Sequence, residues 1–228
     1  MSVHSQYLLA IETTGHICGI ALMDLNAHKP VLEHVIYQPN MHDAMLAEMV
    51  RRAMNDLTIS AEQIQSIAVS AGPGSFTGIR IGMSFAKGWC ADGSTNLISV
   101  PTFQGMANAF MQYHSSKENM NSLCIAMKSH GEMWYCQTFD IHTAKETMNV
   151  SVMTMNDLQS IITDESIVIG DYAFHHGHDI PEMFMHSHPQ FIAKLGSHMH
   201  KQGMFSSVAI ADSHYHAEFT PTMKESNT

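Results

Sequence analysis

A glycine-rich stretch between residues 70 and 88 has the composition of a loop that binds an anion. It reads SAGPGSFTGIRIGMSFAKG and follows an apolar run, so a buried strand should end there and a helix should begin. The backbone N–H groups of such a loop and the positive end of the helix dipole favour phosphate. Neither standard phosphate motif is complete, because no lysine follows Gly78, and Gly72, Gly74 and Gly78 are spaced two and four apart.

The same stretch also has the composition of a packing surface. Gly78, Gly82 and Ala86 recur every four residues, so one helix face lacks large side chains and another helix can approach its backbone. The preceding helix, predicted over residues 43–57, carries a methionine-rich stripe that suits a surface with more than one partner. We expect both helices to form a docking surface, and the alternative is that this stripe faces the chain's own sheet. The predicted interface residues are Met45, Leu46, Met49, Met54, Gly78, Ile79, Gly82, Met83 and Ala86.

An acidic residue at the end of the first predicted strand is a candidate for nucleotide chemistry. A kinase or ATPase would need carboxylates for magnesium and loops for phosphate, and Glu12 is followed by two threonines and a glycine. The alternative is that Glu12 only accepts hydrogen bonds from the turn at the strand end. The possible nucleotide-binding residues are Glu12, Thr13, Thr14, Gly72, Gly74, Ser75 and Thr77.

Histidine and cysteine do not form a metal motif in this sequence. The chain has 17 histidines, but no two are four residues apart, and His198 and His200 fall in a helical pattern that points them apart. We therefore predict no metal site, and the strongest alternative is the run from His175 to His178. The four cysteines stand singly in apolar segments, which predicts buried reduced thiols.

Net charge and hydropathy indicate what class of protein this sequence encodes. With 11 basic and 21 acidic residues the formal net charge is −10, so the surface should bind nucleic acid poorly by itself. No apolar run approaches the ~20 residues that span a bilayer, and the N-terminus lacks a basic region ahead of its first apolar run. These features predict a cytoplasmic globular protein without a membrane segment.

The predicted elements occur in the same order twice. Three strands, a helix, a strand and a helix follow one another in each half, with one further strand and helix before the linker near residue 114. Three hairpin-linked strands followed by crossovers describe a mixed sheet with helices on its faces. We predict a duplicated actin-like or Hsp70-like ATPase (ribonuclease H-like) α/β fold with two lobes. The first lobe covers residues 1–113, the second covers 114–228, and the last helix and tail could pack back on the first lobe.

Two segments resemble one known family. The opening LLAIETTGHICGIALMD looks like the start of the bacterial TsaB (YeaZ) proteins, and GPGSFTGIRIGMSFAKGW is similar to their most diagnostic segment almost residue by residue. The resemblance is strong from Tyr7 to about Thr102 and thin in the second half. It includes His42, ahead of the first helix.

The resemblance implies a non-catalytic subunit of the machinery that makes N6-threonylcarbamoyladenosine at position 37 of ANN-decoding tRNAs. The implied partners are the catalytic protein TsaD, the small ATPase TsaE and a second copy of the chain, and tRNA is reached only through the complex. No cofactor is required, and weak ADP or ATP binding is possible. On this view Gly82→Leu leaves the monomer folded and abolishes co-purification with TsaD, whereas the alternative function is an actin-like kinase or ATPase with its own nucleotide site.

Overall fold

The computed structural model describes residues 6–38, 41–114, 120–172 and 180–211. They form nine strands and five α-helices in the predicted order. The strands are β1 (Tyr7–Glu12), β2 (Cys18–Asp24), β3 (Lys29–Ile36), β4 (Ile64–Ser70), β5 (Asn96–Val100), β6 (Ser122–Lys128), β7 (Met133–Asp140), β8 (Glu146–Thr154) and β9 (Ser166–Ile169). The helices are α1 (His42–Asp56), α2 (Phe76–Trp89), α3 (Thr102–Tyr113), α4 (Met155–Ile161) and α5 (Pro189–Lys201).

The strands form two mixed sheets with the same topology. The first has the order β3-β2-β1-β4-β5, with antiparallel pairing from β3 to β1 and parallel pairing from β1 to β5. The second has the order β8-β7-β6-β9 and repeats the first four positions with the same directions. This repeat confirms the predicted duplicated actin-like fold with helices on the sheet faces.

The sequence predicts helix caps at Asn40 with Asp43, at Ser60 with Gln63 and at Thr154 with Asp157, and the described residues form two of these three. The backbone N–H of Asp157 donates to Thr154 Oγ1 at 3.3 Å, which caps α4 as predicted, and the backbone N–H of Ser60 donates to Gln63 Oε1 at 3.0 Å. The predicted cap of α1 is wrong, because its N-cap is Met41 and makes no side-chain cap bond. Asn40 lies outside the described residues.

The last helix of each half packs against the sheet of the other half. On α3, Phe103, Met106 and Phe110 belong to the same buried cluster as Leu123 and Ile125 of β6. On α5, Ile192 and Ala193 are buried with residues of the first sheet. This exchange joins the two lobes through buried apolar contacts, and the predicted boundary between residues 113 and 114 stays a prediction.

The four cysteines are buried free thiols, as predicted. Burial raises the pKa of Cys18 and of Cys90 to about 11, so both are protonated at neutral pH. Within the described ranges, no helix is both long enough and apolar enough to cross a bilayer.

Candidate functional site

The glycine-rich loop lies directly on the turn that follows β1. Ser75 donates its backbone N–H to the carbonyl oxygen of Thr14 at 2.6 Å, and Thr13 Oγ1 donates to the carbonyl oxygen of Gly78 at 2.8 Å. A Cβ atom at Gly78 would lie 1.9 Å from the Thr13 carbonyl oxygen, and one at Gly82 would lie 2.5 Å from Thr13 Oγ1. Both glycines are therefore needed for contacts within the chain, because a side chain at either position would overlap Thr13.

Most of the predicted docking surface faces the interior of its own chain, so that part of the prediction is wrong. The helical period correctly places these residues on shared faces, but the first sheet and the turn after β1 cover those faces. Met45 and Met54 differ, since both are only half-buried. The residues buried within the chain are Leu46, Met49, Gly78, Ile79, Gly82, Met83 and Ala86.

A different face of α2 is left partly open to solvent. Ile81, Phe85 and Trp89 follow one another at four-residue spacing, are half-buried, and form what we call the outer row of α2. The Phe85 and Trp89 rings lie 6.0 Å apart. The sequence carries this i, i+4, i+8 signal, but the glycine face beside it is the more conspicuous feature.

Glu12 is completely buried and accepts hydrogen bonds from four donors. Its Oε1 accepts from the Thr14 N–H at 2.6 Å, from Thr14 Oγ1 at 2.6 Å and from Ser70 Oγ at 3.0 Å. Its Oε2 accepts from Ser187 Oγ at 2.5 Å. Burial raises the pKa of the Glu12 carboxyl, and these hydrogen bonds oppose that rise only in part. The side chain therefore has the role of a strand-end acceptor, which was the alternative to a magnesium ligand.

A cleft of about 570 Å³ separates the two lobes beside this loop. Four of the predicted nucleotide-binding residues line it, namely Thr14, Gly74, Ser75 and Thr77. The other three, Glu12, Thr13 and Gly72, do not line it. The second lobe contributes Lys128 and Asp171, so the start of α2, which favours anions, faces one lysine and one carboxylate across the cleft, and Asp43 adds a second carboxylate.

Three histidines also line the cleft and were not predicted there. His42 begins α1 and its Nε2 lies 3.0 Å from the Ile17 carbonyl oxygen. His16 and His130 occupy turns that follow the first strand of each lobe, β1 and β6. Because the order of elements is duplicated, the sequence could have predicted that these two turns occupy equivalent positions in the two lobes.

The predicted absence of a metal site stays a prediction. In the part of the chain that the structure describes, no three His, Cys, Asp or Glu side chains are arranged to hold a metal ion. His198 contacts Gln202 and His200 contacts Ser66, so these two side chains point apart as predicted. The alternative site from His175 to His178 lies outside the described residues.

Comparison with known proteins places the chain in one family. The family model described as "TsaD: tRNA N6-adenosine threonylcarbamoyltransferase" matches residues 32–211. The chain is 34% identical over 87 residues to the TsaB tRNA threonylcarbamoyladenosine biosynthesis protein of Bacillus subtilis and 28% identical over 133 residues to that of Escherichia coli. These matches span 37% and 57% of this chain, and 37% and 54% of the relatives, so the chain matches about half or less of their length.

Solved structures share the fold at lower identity. YeaZ from Pseudomonas aeruginosa is 17% identical with a TM-score of 0.72, and the match covers 92% of this chain and 99% of that one. A second P. aeruginosa protein, described as similar to peptidase YeaZ, is 16% identical with a TM-score of 0.74, with 93% and 100% covered. Because the family model matches most of the chain and the curated relatives are named TsaB, the chain belongs to this threonylcarbamoyltransferase family and, within it, to the TsaB (YeaZ) group.

Proposed function

We propose that the chain is a non-catalytic assembly subunit that binds a TsaD-type protein in the cytoplasm and supports formation of N6-threonylcarbamoyladenosine on tRNA. TsaE joins the same assembly, tRNA is bound by the complex, and no cofactor of its own is required. The outer row of α2 carries this proposal. It is an apolar, half-open helix face, and aromatic side chains of this kind are frequent anchors of protein interfaces.

The small side chains around the outer row favour a helix as the partner element. Ser84 and Gly88 lie next to it and are exposed, and a Cβ atom at Gly88 would meet nothing within 4 Å. A second helix could therefore pack closely against Phe85 and Trp89. This surface replaces the glycine face as the docking site.

The carboxylates in and near the cleft make contacts within the chain, which supports a non-catalytic role. Phosphoryl transfer requires carboxylates that can hold magnesium against the phosphates. Glu12 is buried beneath Ser187 and does not line the cleft. Asp43 and Asp171 do line it, but both make contacts within the chain. Asp43 Oδ1 accepts from the Ala44 N–H at 2.9 Å, Asp171 Oδ2 accepts from the Lys128 N–H at 2.9 Å, and Asp171 Oδ1 lies 3.5 Å from His186 Nδ1.

Binding to the TsaD protein of the same organism tests the proposal. We expect Phe85→Glu combined with Trp89→Glu to weaken that binding at least about tenfold by isothermal titration, since each change places a carboxylate in an apolar contact. Phe205→Glu combined with Ile210→Glu is the matched control, because these two side chains are 45% and 80% exposed and lie after α5. Unchanged affinity in the double variant would contradict the proposed surface.

The alternative function, a kinase or ATPase, rests on the cleft and needs a separate test. The start of α2 and Lys128 could bind a nucleotide phosphate there. Titration of the isolated protein with Mg-ATP, together with a phosphate-release assay, distinguishes the two functions. We expect at most weak binding without turnover, and steady phosphate release by the purified chain would favour the alternative.

A further inference from the structure

A second groove, remote from the glycine loop in sequence, lies along α3, α5 and the turn between β2 and β3. Its volume is about 660 Å³. One wall is a stripe of α3 that includes Asn108 and Gln112, and the other is a stripe of α5 that includes Lys194 and Lys201. The proposed docking surface on α2 contributes no residue to it.

The charge of this groove is opposite to that of the whole molecule. Although the chain has a net charge of −10, no aspartate or glutamate is among the described residues that line the groove. The lining includes Lys194, Lys201, His198 and His28. On α5 the first three follow at four- and three-residue spacing, so they form one row along the helix.

The two lysines of this row are available to a ligand. Both are exposed, and within the described residues neither Lys194 nor Lys201 has an acidic side chain within ion-pair distance. By contrast, Arg51 and Arg52 both pair with Glu48 at 2.6 Å. The row therefore presents positive charge that the rest of the described chain does not neutralise.

The floor of the groove is apolar, which distinguishes it from a surface for nucleic acid. Met23, Pro30, Ala109, Phe191 and Leu195 line it beside the basic row. A phosphate backbone is bound mainly by cations and offers little to such a floor. An amphipathic helix offers apolar side chains to the floor and carboxylates to the basic row.

We propose that this groove binds an acidic amphipathic helix of a partner protein. Lys194 and Lys201 are seven residues apart, which is about 10 Å along α5. A ligand helix lying alongside, with carboxylates at the same seven-residue spacing, would meet both ammonium groups while its apolar face covers Pro30 and Leu195. The amide groups of Asn108 and Gln112 would face its polar edge.

Fluorescence anisotropy with synthetic helical peptides tests this proposal. The probe is a fluorescein-labelled 15-residue peptide of leucine, alanine and glutamate with its leucines on one face and glutamates at positions i and i+7 beside them. The comparison probe has the same composition in scrambled order. We expect the ordered peptide to bind at least tenfold more tightly, and Lys194→Glu with Lys201→Glu to remove that advantage.

Two controls make the outcome decisive. Arg80→Glu with Lys87→Glu makes the same change in net charge away from the groove and should leave the affinity within about twofold, and circular dichroism melts of both variants verify folding. Equal binding of the two peptides, or an unaffected groove variant, would overturn the proposal. So would tighter binding of a single-stranded 15-nucleotide RNA through these lysines, or a wild-type dimer that becomes a monomer in Lys194→Glu with Lys201→Glu. The assay needs neither TsaD nor tRNA, so its failure leaves the proposed function standing.

Discussion

Glu12 shows how one buried carboxyl can organise the turn at the end of a strand. Its four donors come from three segments, because Thr14 follows β1, Ser70 ends β4 and Ser187 precedes α5. A carboxylate that is fully buried loses hydration, which three hydroxyls and one N–H replace only in part. Glu12 therefore links the turn after β1, the first sheet and the start of α5, although burial destabilises its ionised form.

This penalty predicts a specific pH dependence of stability. Because the pKa of Glu12 is raised in the folded chain, its contribution is fully present below the unfolded pKa and is lost as pH rises through the folded pKa. Glu12→Gln keeps the shape and cannot ionise. We expect the free energy of unfolding of the wild type to fall relative to that of Glu12→Gln as pH rises from about 4 towards neutral.

Urea denaturation of both proteins at a series of pH values measures this difference. Asp140 is a suitable control position, since it is only half-buried at the end of β7 and hydrogen bonds from Thr143 lower its pKa instead. The difference between Asp140→Asn and the wild type should change with pH in the opposite direction. Parallel pH profiles for the wild type and Glu12→Gln would show that Glu12 ionises as easily in the folded chain as in the unfolded one.

At the scale of elements, the contact between α2 and the turn after β1 can be tested by comparing two glycines of α2, one at the contact and one away from it. Gly78→Ala would place a Cβ atom 1.9 Å from the Thr13 carbonyl oxygen, whereas Gly88→Ala would meet nothing within 4 Å. Both changes gain a similar helix propensity of ~0.5–1 kcal/mol. We expect Gly88→Ala to be neutral or stabilising and Gly78→Ala to cost about 1–3 kcal/mol from overpacking.

The free energy of unfolding of each variant in urea checks this expectation. Gly82→Leu should also destabilise the monomer, because Thr13 Oγ1 would lie 2.5 Å from its Cβ atom, so it cannot serve as a clean test of partner binding. Equal stability of Gly78→Ala and Gly88→Ala would mean that the turn after β1 moves aside at little cost.

The comparison of α2 with its prediction shows what a single sequence can determine. Hydrophobic periodicity predicts the order of strands and helices and groups Gly78 and Gly82 on one face, because these properties are local. It cannot tell whether that face meets another chain or Thr13 of the same chain, since both contacts require small residues at the same spacing. The decisive neighbour lies 65 residues away in the sequence.

The same limit applies to the helices that end each half. The sequence predicts α3 over Thr102 to Tyr113 with correct bounds, because its apolar residues repeat at helical spacing. That pattern contains no information on which sheet the helix covers. The resemblance to the TsaB family adds the fold and the group, but Ile81, Phe85 and Trp89 become candidates for docking only once their exposure is known.

At the scale of the whole molecule, the exchange of α3 and α5 should make the two lobes unfold together. Phe110 of α3 and Phe191 of α5 both contact Phe184, with ring centroids 5.0 and 5.5 Å apart. These side chains are almost completely buried. Loss of the second sheet would expose this cluster, and loss of the first would expose Ile192 and Ala193 of α5, so neither lobe has a complete core without the other.

The two tryptophans of the chain allow this cooperativity to be measured, because each reports on a different lobe. Trp89 lies on α2 beside the first sheet, and Trp134 lies in β7 of the second. We expect the urea midpoint from tryptophan fluorescence to equal the midpoint from circular dichroism in both Trp89→Phe and Trp134→Phe. Adding Phe110→Ala should cost about 3–5 kcal/mol and lower all of these midpoints together. Separate midpoints in the two backgrounds, or a shift confined to the Trp134 signal, would mean that the shared aromatic cluster does not couple the lobes.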